Sequence, residues 1–258
     1  WRSYLPKENI HLIFLSSEDD TATQIVRSIV ITFVRSFNNQ MVEAGEVINL
    51  DMESTVLGEE ETAGDYFLPG IMAAFIMTNG IIGVTTNTSE FRRNGVLKRM
   101  AATPLRKSSW ILGNLLHQTV IAFLLALLMI GVGWAVFGIT VSINIATILL
   151  IVLGATAFCG IGLVLGGSIK DTETANAAGS AIGFPMMFLS GAFWPIEMMP
   201  SFMQVVAKTL PVYYFHEGLR QTMIFEKVGE ALPSIAIIAV ISAVFIVLAV
   251  QITKWKEF

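Results

Sequence analysis

Apolar residues fill long, nearly uninterrupted stretches of this chain, and polar residues collect between them. Five stretches approach or exceed the roughly 20 residues that a helix needs to cross a hydrocarbon core. They are Tyr66–Thr88, Trp110–Phe137, Ile145–Ile169, Ala175–Phe193 and Ser234–Thr253. Backbone groups in lipid must pair within their own segment, so these stretches are predicted to be helices. Residues 1–65 have a different texture. Ile10 to Leu15 reads as a short strand, and Ser17-Glu18-Asp19-Asp20 supplies turn and cap residues. A helix to about Phe37 follows, because Ala22, Ile25, Val26, Ile29, Val30, Phe33 and Phe37 fall on one face. Gly45 to Leu50 reads as a second strand, and the acidic stretch Gly58 to Asp65 leads into the first span. The predicted fold class is an all-α polytopic membrane protein over residues 66–258, preceded over residues 1–65 by a small and incomplete α/β segment.

Composition strengthens this picture. Charged residues make up 14% of the 258 positions, against about 25% for an ordinary soluble domain, and the mean hydropathy is +0.68. The net charge of −4 conceals an asymmetry. Residues 1–65 hold four basic residues against twelve acidic ones, whereas loop 89–109 holds six basic residues against Glu90 alone. Such a split speaks to membrane topology and gives no sign of nucleic-acid binding. Loop 138–144 has no Lys or Arg, loop 170–174 has Lys170, and the C-terminal tail has Lys254 and Lys256. The positive-inside rule then places loops 89–109 and 170–174 and the C-terminus in the cytoplasm, with residues 1–65 and 194–233 outside. An external N-terminal piece requires an upstream span. The chain opens on Trp1 without a signal-peptide pattern, so a missing first helix is expected, giving six spans in the full protein.

Two segments depart from simple spans and turns. In the first, residues 89–104, Ser89 and Glu90 suit a helix N-terminus and Pro104 its end. Phe91, Leu97 and Met100 lie near one face, while Arg92, Lys98 and Arg99 project from others. A short amphipathic surface helix is predicted, serving as an anchor on anionic lipid or as a docking helix for a cytoplasmic partner. Ser108 and Ser109 are placed to cap the next span. The second segment, residues 191–216, is apolar and aromatic but broken by Pro195, Pro200 and Pro211, which no straight helix survives. One or two short re-entrant helices in the outer leaflet are expected, one of them within Ser201–Thr209. Trp194, Tyr213 and Tyr214 suit the interfacial belt.

These segments resemble a family. Asp65-Tyr66-Phe67-Leu68-Pro69-Gly70 looks like the opening of the type-2 ABC transporter permeases. Arg92-Arg93-Asn94-Gly95-Val96-Leu97-Lys98-Arg99-Met100, followed by Thr103-Pro104-Leu105, is similar to that family's cytoplasmic helix. Leu189-Ser190-Gly191-Ala192-Phe193-Trp194-Pro195 resembles its "L-[SG]-G-x-[FW]-x-P" element, and Leu210-Pro211 with Tyr214, Leu219 and Arg220 resembles its "L-P-x-x-[YW]…L-R" element. Four weak motifs in the right order make a specific signal. The resemblance implies a membrane-spanning exporter subunit that forms a translocation pathway as a homo- or heterodimer. It also implies separate ATPase subunits, with ATP and Mg bound on them and no cofactor in this chain. Residues 89–104 would then be the coupling helix, with Glu90, Phe91, Arg92, Arg93, Leu97, Lys98, Arg99, Met100, Thr103 and Pro104 meeting the ATPase. Leu97 and its apolar neighbours would anchor in a groove, with the basic residues at its rim. Phe193, Trp194, Pro195, Leu210 and Pro211 would form an external lid packed on the first and fourth spans.

Other chemistry is sparse. No G-x-x-x-x-G-K-[ST] motif is present to cradle a nucleotide phosphate, and no metal-ligand spacing is found. Asn79, His117 and Asn176 are the polar candidates within the spans, for pathway lining or for hydrogen bonding between helices. Cys159, the single cysteine, sits among apolar residues as packing, and Gly160, Gly162, Gly166 and Gly167 should let helices approach closely. An ion-coupled secondary transporter would carry acidic residues at mid-depth, and an intramembrane enzyme would show converging reactive groups. The spans have neither pattern. The expected location is the cell membrane, in contact with lipid.

Overall fold

The computed structural model describes residues 10–11, 48–49, 63–191, 193, 196 and 199–252. The chain divides into two compact units, residues 1–61 and 62–258. In the first unit, β1 (Ile10–His11) pairs in parallel with β2 (Ile48–Asn49), Ile10 opposite Ile48 and His11 opposite Asn49. These residues fall inside the two stretches read as strands. The helix expected up to Phe37 and the acidic lead-in before residue 63 lie outside the described residues.

The second unit is helical throughout its described residues. Its elements are α1 (Ala63–Thr78), a π-helical turn (Asn79–Gly83), α2 (Val84–Arg93), α3 (Val96–Ala101), α4 (Lys107–Phe137), α5 (Ile145–Ser168), α6 (Thr172–Leu189), α7 (Ser201–Ala207), α8 (Pro211–Met223) and α9 (Val228–Ile252). Four helices among the described residues are long and apolar enough to cross a membrane: Gly64–Arg93, which joins α1 to α2 through the π turn, then α4, α5 and α9. The remaining expected span, Ala175–Phe193, corresponds to α6, and that helix falls short of the same standard. It has 18 residues, and Thr172, Glu173, Thr174 and Asn176 occupy its first turns. Its cap is regular: Asp171 accepts hydrogen bonds from the Thr174 amide and hydroxyl, each at 2.8 Å.

Helix α5 is the centre of the bundle, with α9, α2, α4, the π turn and α8 packed around it. The membrane supplies no hydrophobic force between helices, so close packing and hydrogen bonds must hold them. Small residues on α5 permit this. A side chain at Gly166 would begin 2.6 Å from the Thr85 carbonyl oxygen, and one at Gly162 would strike the Gly80 carbonyl. Gly167, expected to act likewise, has ordinary spacing, its nearest neighbour being Ile252 at 3.7 Å. Cys159 is fully buried, among Val84, Leu163 and Ala249. Helix α4 turns Leu112, Leu116, Val120, Leu124, Leu127 and Leu128 outward, a stripe suited to lipid. The α4–α5 turn is tied to α8, since Asn144 Nδ2 donates to the Thr222 carbonyl at 2.8 Å and the Ser142 amide to that of Met223 at 2.9 Å.

Candidate functional site: the α2–α4 connector and the opposite helical hairpin

Residues 89–104 do not form the single capped helix that the sequence suggests. The first span continues to Arg93, and Ser89 lies buried within α2 rather than capping a helix. Its hydroxyl donates to the Ile169 carbonyl at 3.3 Å. Asn94 and Gly95 break the chain, and Gly95 takes a left-handed conformation, φ 67°, which glycine adopts at little cost. Helix α3 then runs for only six residues. Pro104 follows its end, and Thr103 Oγ1 donates to the Met100 carbonyl at 2.6 Å. The extended Arg106 is the N-cap of α4, and Ser108 and Ser109 lie inside that helix's first turn rather than capping it.

Two residues assigned to a partner turn inward. Leu97 is 4% exposed and belongs to a cluster with Val84, Trp110, Ile111, Leu115, Cys159 and Leu163. It anchors α3 to its own bundle, because the apolar face of so short a helix has nothing else nearby to bury it. Arg92 Nη1 donates to the Gly167 carbonyl at 2.6 Å. That carbonyl lies in the last turn of α5, where helical partners run out. Glu90, Phe91, Arg93, Lys98, Arg99, Thr103 and Pro104 are exposed, and Met100 is half-buried. The outward surface of the connector is therefore basic, with Arg106 and Lys107 extending it. Arg93 also adds a favourable charge beside Asp171, whose carboxyl is held below the usual carboxylate range, chiefly by the Thr174 hydrogen bonds.

Asn79 and His117 are brought together. They line a groove of about 560 Å³ between the first span and α4, with Asn87, Asn114, Gln118 and Phe91. Asn176 is elsewhere, accepting from the Ser180 hydroxyl at 3.2 Å on α6. Gln118 is 2% exposed, and its Nε2 has no hydrogen-bond partner among the described residues. Gln118 is not among the polar positions expected from the sequence; its spacing of four residues from Asn114 is the signal that could have found it.

At the opposite end of the bundle, Gly191 turns the chain with φ 80°. The Phe193 ring stacks on Phe188 with centroids 5.6 Å apart, so Phe193 packs on α6. Trp194 and Pro195 lie outside the described residues. Helix α7 begins directly after Pro200, within the stretch expected to be helical, and Pro211 opens α8 at a position where its missing N–H has no cost. Leu210 packs partly buried against the main core. A cluster that the sequence reading missed joins α1, the end of α6 and α8. The Tyr66 hydroxyl donates to the Gly191 carbonyl, the Tyr66 ring meets His216 edge-on, and Arg220 lies 5.3 Å from the Tyr66 ring centroid. Arg220 also approaches Glu217 at 3.7 Å. His216 is 2% exposed, and burial, with the Arg220 charge second, pushes its imidazole down to about 4. Tyr66, Gly191 and Arg220 each stand inside one of the four quoted motifs, which was the available hint.

Long apolar helices around a glycine-lined centre, a basic connector at one end and a proline-broken hairpin at the other mark a multi-pass membrane protein. The chain belongs to the ABC-2 family of transporter proteins, whose family profile matches residues 4–250. It is 29% identical over 153 residues to the linearmycin resistance permease protein LnrN of Bacillus subtilis, a match covering 59% of this chain and 39% of that protein. It is 21% identical over 213 residues to the probable multidrug ABC transporter permease YbhR of Escherichia coli, covering 81% and 58%. It is also 26% identical over 167 residues to the daunorubicin resistance ABC transporter permease protein DrrB1 of Streptomyces coeruleorubidus, covering 61% and 56%. The matches thus span less than two thirds of each of these relatives' length.

Proposed function

We propose that this chain is the membrane-spanning permease subunit of an ATP-driven exporter. It pairs with a second permease chain, identical or homologous, and the translocation pathway lies between the two. Separate ATPase subunits bind ATP and Mg and receive the α2–α4 connector. The observation that carries the reading is the connector's division of labour: Leu97 fixes α3 to the bundle while Arg93, Lys98 and Arg99 face outward. A basic surface on a rigid mount suits an acidic rim on a partner protein, and anionic lipid headgroups can border the same surface. The connector and C-terminus face the cytoplasm, and residues 1–65 and the α7–α8 hairpin lie outside. Helix α6 completes a fifth crossing with the help of its neighbours. The hairpin, with Phe193, Trp194, Pro195, Leu210 and Pro211, acts as an external lid. The Asn79–His117 groove contributes polar lining to the pathway, while Asn176 bonds within α6. Relatives named for linearmycin and daunorubicin resistance, together with exposed Phe75, Phe184 and Phe188, favour amphipathic, drug-like cargo.

Affinity purification of the tagged chain from its native cells tests this. A protein with a phosphate-binding ATPase loop should co-purify with the parent chain. Recovery should fall roughly tenfold or more with Lys98→Glu and Arg99→Glu combined, as like charges meet across the interface. Equal recovery from parent and variant would reject the connector as the docking surface.

A further inference from the structure

Thr85, Ser89 and Arg92 are spaced four and three residues apart, so they lie on one face of α2. All three donate to carbonyl oxygens at the C-terminal end of α5. Thr85 Oγ1 reaches Gly162 at 3.2 Å, Ser89 Oγ reaches Ile169 at 3.3 Å, and Arg92 Nη1 reaches Gly167 at 2.6 Å. The helix backbones touch along the same line, since a side chain at Gly166 would meet Thr85 and Thr88 within 2.7 Å. The last rung is the strongest. It places a guanidinium on the negative end of a helix, at a carbonyl with no helical partner, as a charge-assisted bond. A second link runs in parallel: Leu97 of α3 shares its buried cluster with Cys159 and Leu163 of α5.

The π turn Asn79–Gly83 interrupts the α-helical ladder just before α2, and such turns occur frequently at functional sites. Helix α2 is held against α5 along its whole length, from Thr85 to Arg92, and the π turn before it also lies against α5, where the Gly80 carbonyl fills the space beside Gly162.

We infer that Arg92 is a positioning residue that transmits displacement of the connector to α5. This rests on the permease reading and deepens it: Arg92 acts inside the chain, and the docking surface is left to Arg93, Lys98 and Arg99. A push on α3 moves α2 and the C-terminal half of α5 together, because packed helices joined by a short charged bond shift as a unit.

The test uses the complex with its ATPase subunit in nanodiscs. A bimane fluorophore is placed at Asn94→Cys on the connector or at Ser168→Cys at the end of α5; both positions are exposed, and the native Cys159 is buried. With the parent chain, ATP and Mg should change the signal at both sites. With Arg92→Gln, the Asn94 response should persist while the Ser168 response falls by at least about fivefold, the lower range of coupling between sites. Arg92→Lys, which restores a cation near the Gly167 carbonyl, should recover at least about half. Ser89→Ala should show a smaller loss in the same direction, and it decides the matter if Arg92→Gln does not fold. An undiminished Ser168 response in both variants would overturn the inference. So would loss of the ATPase subunit from folded Arg92→Gln complexes, which would assign Arg92 to docking. Failure of the parent chain to bind any ATPase would instead remove the permease reading itself, and the inference with it.

Discussion

The Phe215 ring occupies the space that a side chain at Gly154 would need. Three of its ring carbons lie within van der Waals overlap of a β-carbon built there, the farthest at 2.7 Å. Phe215 is fully buried and also meets Phe158 edge-on, with centroids 5.6 Å apart. The α8 hairpin is thus plugged into the central helix by one ring in one glycine-sized notch. Gly154→Val should therefore displace α8 and lower the melting temperature in detergent. Phe215→Ala should cost about 3–5 kcal/mol through the cavity it leaves. Combining the two should recover part of the loss, because the removed ring makes room for the added methyls. Additive losses would show that the two sites are independent.

His216 gives the hairpin a pH dependence whose sign follows from its surroundings. Its imidazole titrates at about 4 rather than the usual 6.5. Burial disfavours the charged ring most, and Arg220 repels its proton; the Tyr66 ring covers one edge, and Glu217 lies next to it in sequence, held by Gln221 at 2.7 Å and near Arg220. Between those two pH values the unfolded chain binds more protons than the folded one, so stability rises with pH. The contribution is complete above about pH 6.5 and is lost as pH falls toward about 4. Melting temperatures measured across that window should decline on acidification, and His216→Phe should flatten this part of the curve. An identical slope in the variant would assign the effect to other groups.

Leu97 supports the connector from within. Leu97→Ala should cost about 2–5 kcal/mol of stability, as truncation of a buried leucine does. The folded fraction should still bind the ATPase subunit, because Lys98 and Arg99 keep their exposure. Thermal unfolding and co-purification on the same preparation separate the two effects. A stable variant that has lost its partner would restore Leu97 to the docking surface.

Gln118 offers a sharper comparison. Its buried Nε2 has no partner among the described residues, and an unsatisfied buried donor is destabilising by about 1–3 kcal/mol. Gln118→Leu should leave the melting temperature unchanged or raise it. A clear drop would show that the amide is satisfied from outside this chain, at the groove shared with Asn79 and His117.

Local chemistry alone settled a good part of this protein. Long apolar runs have one solution in lipid, so the four long helices could be placed by counting residues. Pro200 and Pro211 marked where α7 and α8 begin, because proline's fixed φ and missing N–H suit the start of a helix. The basic character of residues 89–109 was equally plain. Tertiary packing decided what the same patterns leave open. An amphipathic segment announces an apolar face but not which neighbour will cover it; here the bundle claimed Leu97, and the carbonyls ending α5 claimed Arg92. Ser89 has the chemistry of a cap, yet it became an interior helical residue once the Ile169 carbonyl stood within its reach. Tyr66, Gly191, His216 and Arg220 lie far apart along the chain and share no period, so only the meeting of α1, α6 and α8 could make them one cluster.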